Sequence, residues 1–88
     1  MVTNIEALKI ESWYDYIINH LKFTGCLIDK YNNIAWFKNG EFHREDGPAI
    51  EYDNGDKYWY LNDTLYNEQE WLIAMRKIKL ERVLKKIT

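Results

Sequence analysis

Pairs of turn-forming residues recur at short intervals through the middle of the chain, and they constrain the fold more than any other feature. The pairs are Asn32-Asn33, Asn39-Gly40, Gly47-Pro48, Asn54-Gly55 and Asn62-Asp63. Asn-Gly is the strongest local hairpin signal, because a type I′ turn requires positive φ at both central residues and these two residues tolerate it best. The segments between the pairs are rich in aromatic and β-branched residues. This pattern predicts an antiparallel β-meander over about residues 26–66.

A 23-residue repeat lies within this segment. Shifting the chain by 23 positions lays Trp36–His43 over Trp59–Tyr66, so that an aromatic pair, an Asn, a turn residue, an apolar residue and a ring coincide. A short period of this kind predicts stacked β-hairpin units that share an aromatic core. Fewer than three full units are present, so we expect flanking helices to close the ends of the stack.

The segment before the meander has a helical pattern. Residues 4–22 contain neither Gly nor Pro, and they predict a helix that is capped by Thr3 or Asn4 and ends near Gly25. The apolar stripe of this helix consists of Ile10, Tyr14, Ile17 and Leu21.

The segment after the meander predicts a second helix. Asn67 and Glu70 have capping-box spacing ahead of an apolar run that starts at Trp71, so we expect a helix over residues 67–87. The chain is long enough for one domain only, residues 1–88. The patterns together predict an α+β fold, an antiparallel β-meander of repeated hairpins flanked by N- and C-terminal helices.

The apolar face of the predicted C-terminal helix changes sides along its length. At 100° per residue, one cluster consists of Trp71, Ala74, Met75 and Ile78. A second cluster, on roughly the opposite side, consists of Leu80, Val83, Leu84 and Ile87. The second cluster is covered either by the stripe of the N-terminal helix or by another chain, which is a second copy or a host protein.

Composition and charge narrow the function classes. With 47% apolar residues and a formal charge of −2, the 88-residue chain fits a globular domain rather than a disordered tail. Residues 76–88 hold six basic and one acidic side chain, a net +5, and residues 1–75 hold six basic and thirteen acidic side chains, a net −7. The basic face of the last helix consists of Arg76, Lys79, Arg82 and Lys86. A face this small on an acidic chain is a weak nucleic-acid signature.

Targeting signals and cysteine usage favour the cytoplasm. No apolar run approaches the roughly 18 residues of a membrane helix, and residues 1–9 lack a signal-peptide pattern. The single cysteine, Cys26, excludes an intramolecular disulfide framework and a multi-cysteine zinc site, which fits a reducing compartment. We therefore expect no membrane partner, no metal and no other cofactor.

One cluster carries candidate chemistry, the consecutive residues His43, Arg44, Glu45 and Asp46. An imidazole, a guanidinium and two carboxylates can form a general base and a phosphate-binding group. Neighbours on a strand point to opposite faces, however, so His43 and Arg44 need not converge. The structural alternative is that Arg44 and Asp46 hold the following bend while His43 packs against Trp36 or Trp59. We favour this alternative, because each folding unit needs its turn chemistry and an active site need not repeat.

The string HREDGPA at residues 43–49 resembles the motif of the HRxDGPA repeat proteins of tailed bacteriophages and giant viruses. Those repeats are similar in length and turn placement to MORN-type β-hairpin repeats. The resemblance covers about residues 33–75. This chain departs from the repeat at Asp63, where Gly is usual, and at Tyr66, where a second His-Arg would start, which implies that the array stops there.

The resemblance implies a small phage accessory protein, and because the sequence has no catalytic constellation we expect that it is not an enzyme. Such a protein binds a host protein, for example a defence or regulatory factor that it inhibits, in the cytoplasm of the infected cell. The candidate partner or ligand contacts are His43, Arg44, Asp46, Trp36 and Trp59. Two alternatives stay open. One is a sponge for a small ligand or nucleotide that is bound by Arg44 and the sheet aromatics; the other is an RNA- or DNA-binding protein that uses the basic face.

Overall fold

A computed structural model describes residues 7–87 of the chain. These residues form an α+β fold in which a mixed, mostly antiparallel sheet of seven strands is followed by a long C-terminal helix. The α+β prediction and the hairpin meander are therefore confirmed. In chain order the elements are β1 (Leu8–Lys9), α1 (Trp13–Asn19), β2 (Gly25–Ile28), β3 (Ile34–Lys38), β4 (Glu41–Phe42), β5 (Ile50–Glu51), β6 (Lys57–Leu61), β7 (Thr64–Tyr66) and α2 (Glu68–Ile87).

The sheet is built from two copies of one three-stranded unit. The first unit contains β2, β3 and β4, and the second contains β5, β6 and β7, with the same register 23 residues later. The equivalent partners are Leu27–Ala35 and Ile50–Tyr58 in the first hairpin of each unit, and Lys38–Glu41 and Leu61–Thr64 in the second. The repeat thus begins at β2, earlier than the sequence match that starts at Trp36.

The two units join along one edge of β3. The first part of β3 pairs with β5, where Ile34 lies opposite Glu51, and the last part pairs with β4, where Lys38 lies opposite Glu41. Between β4 and β5 the chain leaves the sheet and returns to it. The excursion is residues 43–49, the HREDGPA string.

The two-residue turns have the backbone that the sequence predicts. At Asn39-Gly40 φ is 52° and 81°, and at Asn62-Asp63 it is 49° and 64°. The prediction of positive φ at both residues of Asn54-Gly55 is wrong for Asn54, since only Gly55 has a positive φ, of 97°. There the Asn54 side-chain oxygen accepts the Asp56 N–H at 2.9 Å, and the connection becomes a longer loop closed by a Tyr52 N–H to Asp56 carbonyl bond.

The predicted N-terminal helix over 4–22 is wrong in its extent. Of its described residues, from Ala7 on, only Trp13–Asn19 is helical, and Leu8–Lys9 is instead a strand that pairs in parallel with Leu27 and Ile28. The outer edge of β2 carries backbone donors and acceptors, and the preceding segment is the part of the described chain that satisfies them. The predicted caps, Thr3 and Asn4, lie outside the described residues.

The predicted stripe of that helix is wrong for Tyr14 and Leu21, but Ile10 and Ile17 do pack against the core. Tyr14 and Leu21 are exposed, whereas Trp13 is buried with Tyr16 and Ile17 packed nearby. The Trp13 indole N–H donates to the Asn33 carbonyl at 3.1 Å, which fixes the short helix against the sheet. Trp13 joins a cluster that we call the sheet core, formed by Trp13, Leu27, Ala35, Phe37 and Ile50.

The C-terminal helix agrees with its prediction within one residue. Asn67 and Glu70 form the expected capping box, with the Asn67 side-chain oxygen 2.8 Å from the Glu70 amide nitrogen and the Asn67 N–H donating back to the Glu70 carboxylate at 3.1 Å. The predicted first face packs on the second unit. Its residues form what we call the helix core, Leu61, Trp71 and Met75, with Ala74 and Ile78 packed against it.

Candidate functional site

The Arg44 guanidinium is the centre of the HREDGPA excursion. Its Nε donates to the Asp46 carboxylate at 2.8 Å, and its Nη1 donates to the Pro48 carbonyl and to the Glu51 carboxylate, both at 3.1 Å. The guanidinium carbon lies 4.4 Å from the centre of the Trp36 ring, a cation–π distance. Arg44 therefore closes the bend from within, as the structural alternative expects for Arg44 and Asp46, and its side chain is only 11% exposed.

Glycine at position 47 leaves room for this arrangement. A Cβ on Gly47 would lie 3.1 Å from the Arg44 guanidinium carbon, which is tighter than ordinary packing. The His-Arg-Glu-Asp-Gly order therefore has a local physical reason. The arginine turns back over the glycine and reaches the two carboxylates.

His43 is buried, with 8% of its surface exposed, and both ring nitrogens are engaged. The Asn62 N–H donates to Nδ1 at 3.0 Å, so in neutral His43 the ring proton is on Nε2, which donates to Glu45 Oε2 at 2.9 Å. A general base needs a nitrogen that can reach substrate, and here neither nitrogen is left to do so.

Glu45 connects the excursion to the C-terminal helix. Its carboxylate accepts two hydrogen bonds from the Arg82 guanidinium, at 2.8 and 2.9 Å, in addition to the bond from His43. The hydrogen bonds from Arg82 and then from His43 lower the Glu45 pKa to about 2. Glu45 is thus a charged clasp between two elements that are 37 positions apart in the chain.

The five predicted contact residues do not converge on one cavity. Arg44 and Asp46 bond each other and Arg44 covers Trp36, but Trp59 packs against the helix core in the second unit. His43 faces the Asn62-Asp63 turn instead of ligand space. The indole nitrogen of Trp36 is buried with no hydrogen-bond partner in the described part of the chain.

The second predicted cluster of the C-terminal helix lies on the surface. Leu80 is 58% exposed and Ile87 75% exposed, on the side of the helix away from the buried Trp71 and Met75. Ile73, seven residues before Leu80, is 63% exposed and lies on the same line of the helix. We call this surface the helix seam, and its members are Ile73, Leu80, Val83, Leu84 and Ile87.

The predicted N-terminal stripe, Ile10, Tyr14, Ile17 and Leu21, does not cover the seam. Ile10 and Ile17 pack on the sheet core, whereas Tyr14 and Leu21 are exposed, and α2 packs on the helix core. The sequence analysis did not assign Ile73 to the second cluster, because in the chain Ile73 stands among the residues of the packed face. The seven-residue spacing of Ile73, Leu80 and Ile87 is the signal that identifies it.

The basic face is divided by the Glu45 clasp. Arg82 bonds the excursion, and the remaining members, Arg76, Lys79 and Lys86, are exposed along the helix. One of the four residues of the basic face is therefore bonded to a carboxylate within the chain. This weakens the case for phosphate contacts.

The other candidate groups are structural or occupied. Cys26 is buried in β2, and its burial raises the pKa of the thiol to about 11 despite the opposing charge of Arg44. Residues 7–87 contain no group of three or more side chains placed to hold a metal ion. In the same range, no helix combines the length and the apolar character that crossing a bilayer requires.

Comparison of the chain with protein families, with curated proteins and with solved structures finds no match.

Proposed function

We propose that the protein is a non-enzymatic accessory protein that acts by binding another protein through the helix seam. The observation that supports this is an apolar line of five side chains, each more than half exposed, on the face of α2 opposite its packed face. Exposed apolar lines of this kind mark interaction sites in soluble proteins. The resemblance to phage HRxDGPA proteins adds that the partner is a host protein, such as a defence or regulatory factor, in the cytoplasm of the infected cell.

Contacts on the opposite side of α2 fix the position of the helix, and therefore the position of the seam. Trp71 and Met75 anchor the first half of α2 in the helix core, and the Trp71 indole N–H donates to the Arg44 carbonyl at 3.2 Å. The Arg82–Glu45 ion pair fixes the second half. A surface that is ordered before binding loses less conformational entropy when the partner arrives.

Charge indicates the chemistry of the partner. The last part of α2 belongs to the segment of net charge +5, and exposed Arg76 and Lys77 flank the seam. A second copy would bring two segments of that charge together, which is unfavourable. We therefore assign the seam to an apolar helix or groove of the partner that is rimmed by Asp and Glu.

The alternatives have less support in the geometry. A small-ligand or nucleotide sponge would need Arg44 to face its ligand, and this side chain is enclosed by Asp46, Glu51 and Trp36. A nucleic-acid-binding protein would need the full basic face, and Arg82 is committed to Glu45.

Site-specific photo-cross-linking tests this function. A photoreactive amino acid replaces Val83 in the seam, and a matched control places it at Lys38, which is exposed at the end of β3. Both proteins are irradiated in a lysate of the cells in which the protein is naturally made. We expect one adduct from position 83 and none from position 38, and the adduct should weaken as salt rises because the partner rim is acidic.

Two further outcomes decide against the proposal. An adduct with twice the mass of the chain would identify a second copy as the occupant of the seam. Equal labelling from positions 83 and 38 would show that the seam is not a specific surface. The adduct should also disappear in the Leu80→Glu variant and persist in Glu41→Gln, a change on the sheet that leaves α2 untouched.

A further inference from the structure

The second turn of each unit is held by hydrogen bonds to an earlier part of the chain, and we call each set of bonds a turn clasp. The first turn clasp joins Asn39-Gly40 to Phe23 and Thr24, which directly precede β2. The Asn39 N–H donates to Thr24 Oγ1 at 2.9 Å, and the Gly40 N–H donates to the Phe23 carbonyl at 2.8 Å. Two successive N–H groups of a turn with positive φ thus bind a side-chain acceptor and a backbone carbonyl.

The second clasp repeats this arrangement one unit later. The Asn62 N–H donates to His43 Nδ1 at 3.0 Å, and the Asp63 N–H donates to the Phe42 carbonyl at 2.9 Å. A third bond is added, because the Asp63 carboxylate accepts the Phe42 N–H at 2.6 Å. The turn of the second unit therefore binds the outward backbone edge of β4, the last strand of the first unit.

The same edge is open after the second unit. Leu65 lies 23 residues after Phe42 and opposite Tyr60, just as Phe42 lies opposite Phe37. Backbone groups at such a position point away from the hairpin partner, and no group within residues 7–87 bonds those of Leu65. Its side chain is 54% exposed.

A line of rings leads to this open edge. The ring centres of Phe37 and Phe42 are 4.8 Å apart, and those of Phe42 and Tyr60 are 5.1 Å apart. Tyr60 belongs to the second hairpin of the second unit and packs on Phe42 of the first unit. By the same repeat, an aromatic ring of a further hairpin would pack on Leu65. Beside Leu65 lies an open groove of about 460 Å³ that reaches Lys57 and Tyr58.

We propose that the Leu65 edge is a second binding surface, independent of the helix seam, that binds the tip of a β-hairpin from another polypeptide. The fitting tip has two turn residues with positive φ, an Asp at the second of them and an aromatic residue two positions before the turn. A second copy offers no such tip, because its turns Asn39-Gly40 and Asn62-Asp63 are already clasped within the chain. The occupant is therefore a different protein.

The probe is a hairpin peptide with the sequence of residues 59–66, closed by a disulfide because an isolated hairpin is barely stable in water. Titration of the peptide into the labelled protein is followed by amide NMR signals. We expect saturable shifts centred on Leu65 and Tyr66. A peptide with Ala at the position of Asp63 should bind on the order of tenfold more weakly, since it lacks the acceptor for the Leu65 N–H.

A protein variant provides the complementary test. Leu65→Pro removes the outward N–H and keeps an edge strand, where proline is tolerated, so it should lose the peptide. The control is Leu80→Glu, which alters the seam and should bind the peptide as the wild type does. This separates the two surfaces, and therefore a failure of one proposal from a failure of the other.

The outcomes are decisive even where Leu65→Pro does not fold, because the Ala peptide leaves the protein unchanged. No shifts at millimolar peptide, equal affinity for both peptides, or shifts that lie away from β7 would overturn the proposal.

Discussion

A glycine in a turn can be required for two separate reasons. One is a positive φ, and the other is the lack of space for a Cβ. Gly40 has a φ of 81°, and a Cβ there would also collide with the Leu21 carbonyl. Gly55 has a φ of 97°, but a Cβ there would meet open space. The two glycines therefore separate the cost of the backbone conformation from the cost of a collision.

Replacing each glycine by Ala should give different losses of stability. For Gly55→Ala we expect the free energy of unfolding to fall by about 1 kcal/mol, the cost of a left-handed conformation. For Gly40→Ala we expect a fall of more than about 2 kcal/mol, since backbone must also move. Urea unfolding measures both, and equal losses would show that the collision is absent.

The Glu45 carboxylate should make stability depend on pH. Its pKa is about 2 in the folded protein against an ordinary value of 4.5, so the stabilisation is complete above about pH 5 and is lost as the pH falls towards 2. Because Glu45 is partly exposed, we expect a loss on the order of 1–2 kcal/mol. In Glu45→Gln this part of the acid slope should vanish, as measured by urea unfolding from pH 7 to pH 2. An unchanged slope would exclude a stabilising ion pair between Glu45 and Arg82.

This residue-level network could be predicted only in part. The bend held by Arg44 and Asp46 follows from residues two apart, and local turn chemistry is sufficient to expect it. The Glu45–Arg82 pair joins residues 37 apart, and nothing local identifies the partner. Their meeting depends on the angle at which α2 leaves the sheet, which is set by packing in the helix core.

At the scale of elements, the clasp between units explains why a departure from the repeat is tolerated. Asp63 stands where the first unit has Gly40, at a position with a φ of 64°, which is unfavourable for most side chains. Its carboxylate compensates by accepting the Phe42 N–H. Asp and Asn are also the side chains that best tolerate this conformation.

Substitution of Asp63 should therefore depend on whether an acceptor is kept. Asp63→Ala removes the bond and keeps the strained φ, so we expect a loss of about 2 kcal/mol. Asp63→Asn keeps a side-chain oxygen and should lose less than about 1 kcal/mol. Urea unfolding compares the two variants, and an Ala variant as stable as the Asn variant would contradict the role of the clasp.

Elements were predictable where the signal is local and not where the sheet decides. The turn at Asn39-Gly40 and the capping box at Asn67 are properties of a few adjacent residues, and both are found. The long N-terminal helix fails because Leu8–Lys9 covers the edge of β2, a demand that only the assembled sheet creates. Tertiary pairing there overrides helical periodicity.

At the scale of the whole molecule, two hydrophobic cores hold the helices on the sheet, and the opposite face of α2 is left exposed. The sheet core holds α1 against the first unit and Ile50 of the second, and the helix core holds the start of α2 against the second unit. The molecule measures 45 × 27 × 25 Å, and a helix of 20 residues, about 30 Å long, accounts for much of its length. The seam lies on this exposed face of α2.

Stability should therefore respond to one face of α2 and not to the other. Met75→Ala removes a side chain that is 3% exposed, and we expect a loss of about 2–4 kcal/mol. Leu80→Ala removes an exposed side chain and should change the free energy of unfolding by less than about 0.5 kcal/mol. A large loss of unfolding free energy for Leu80→Ala, measured by urea unfolding, would show that the seam stabilises the fold of the single chain.

Sedimentation of the fluorescently labelled chain tests most directly whether the helix seam binds a partner protein. The wild type is measured pure and in a lysate of its natural cells, beside the double variant Leu80→Glu/Val83→Glu. We expect the pure wild type to sediment at the monomer mass of 10.7 kDa. In the lysate we expect a heavier species for the wild type and the monomer mass for the double variant. A wild type that stays at the monomer mass in the lysate, or that is already dimeric when pure, would contradict binding of a partner protein by the seam.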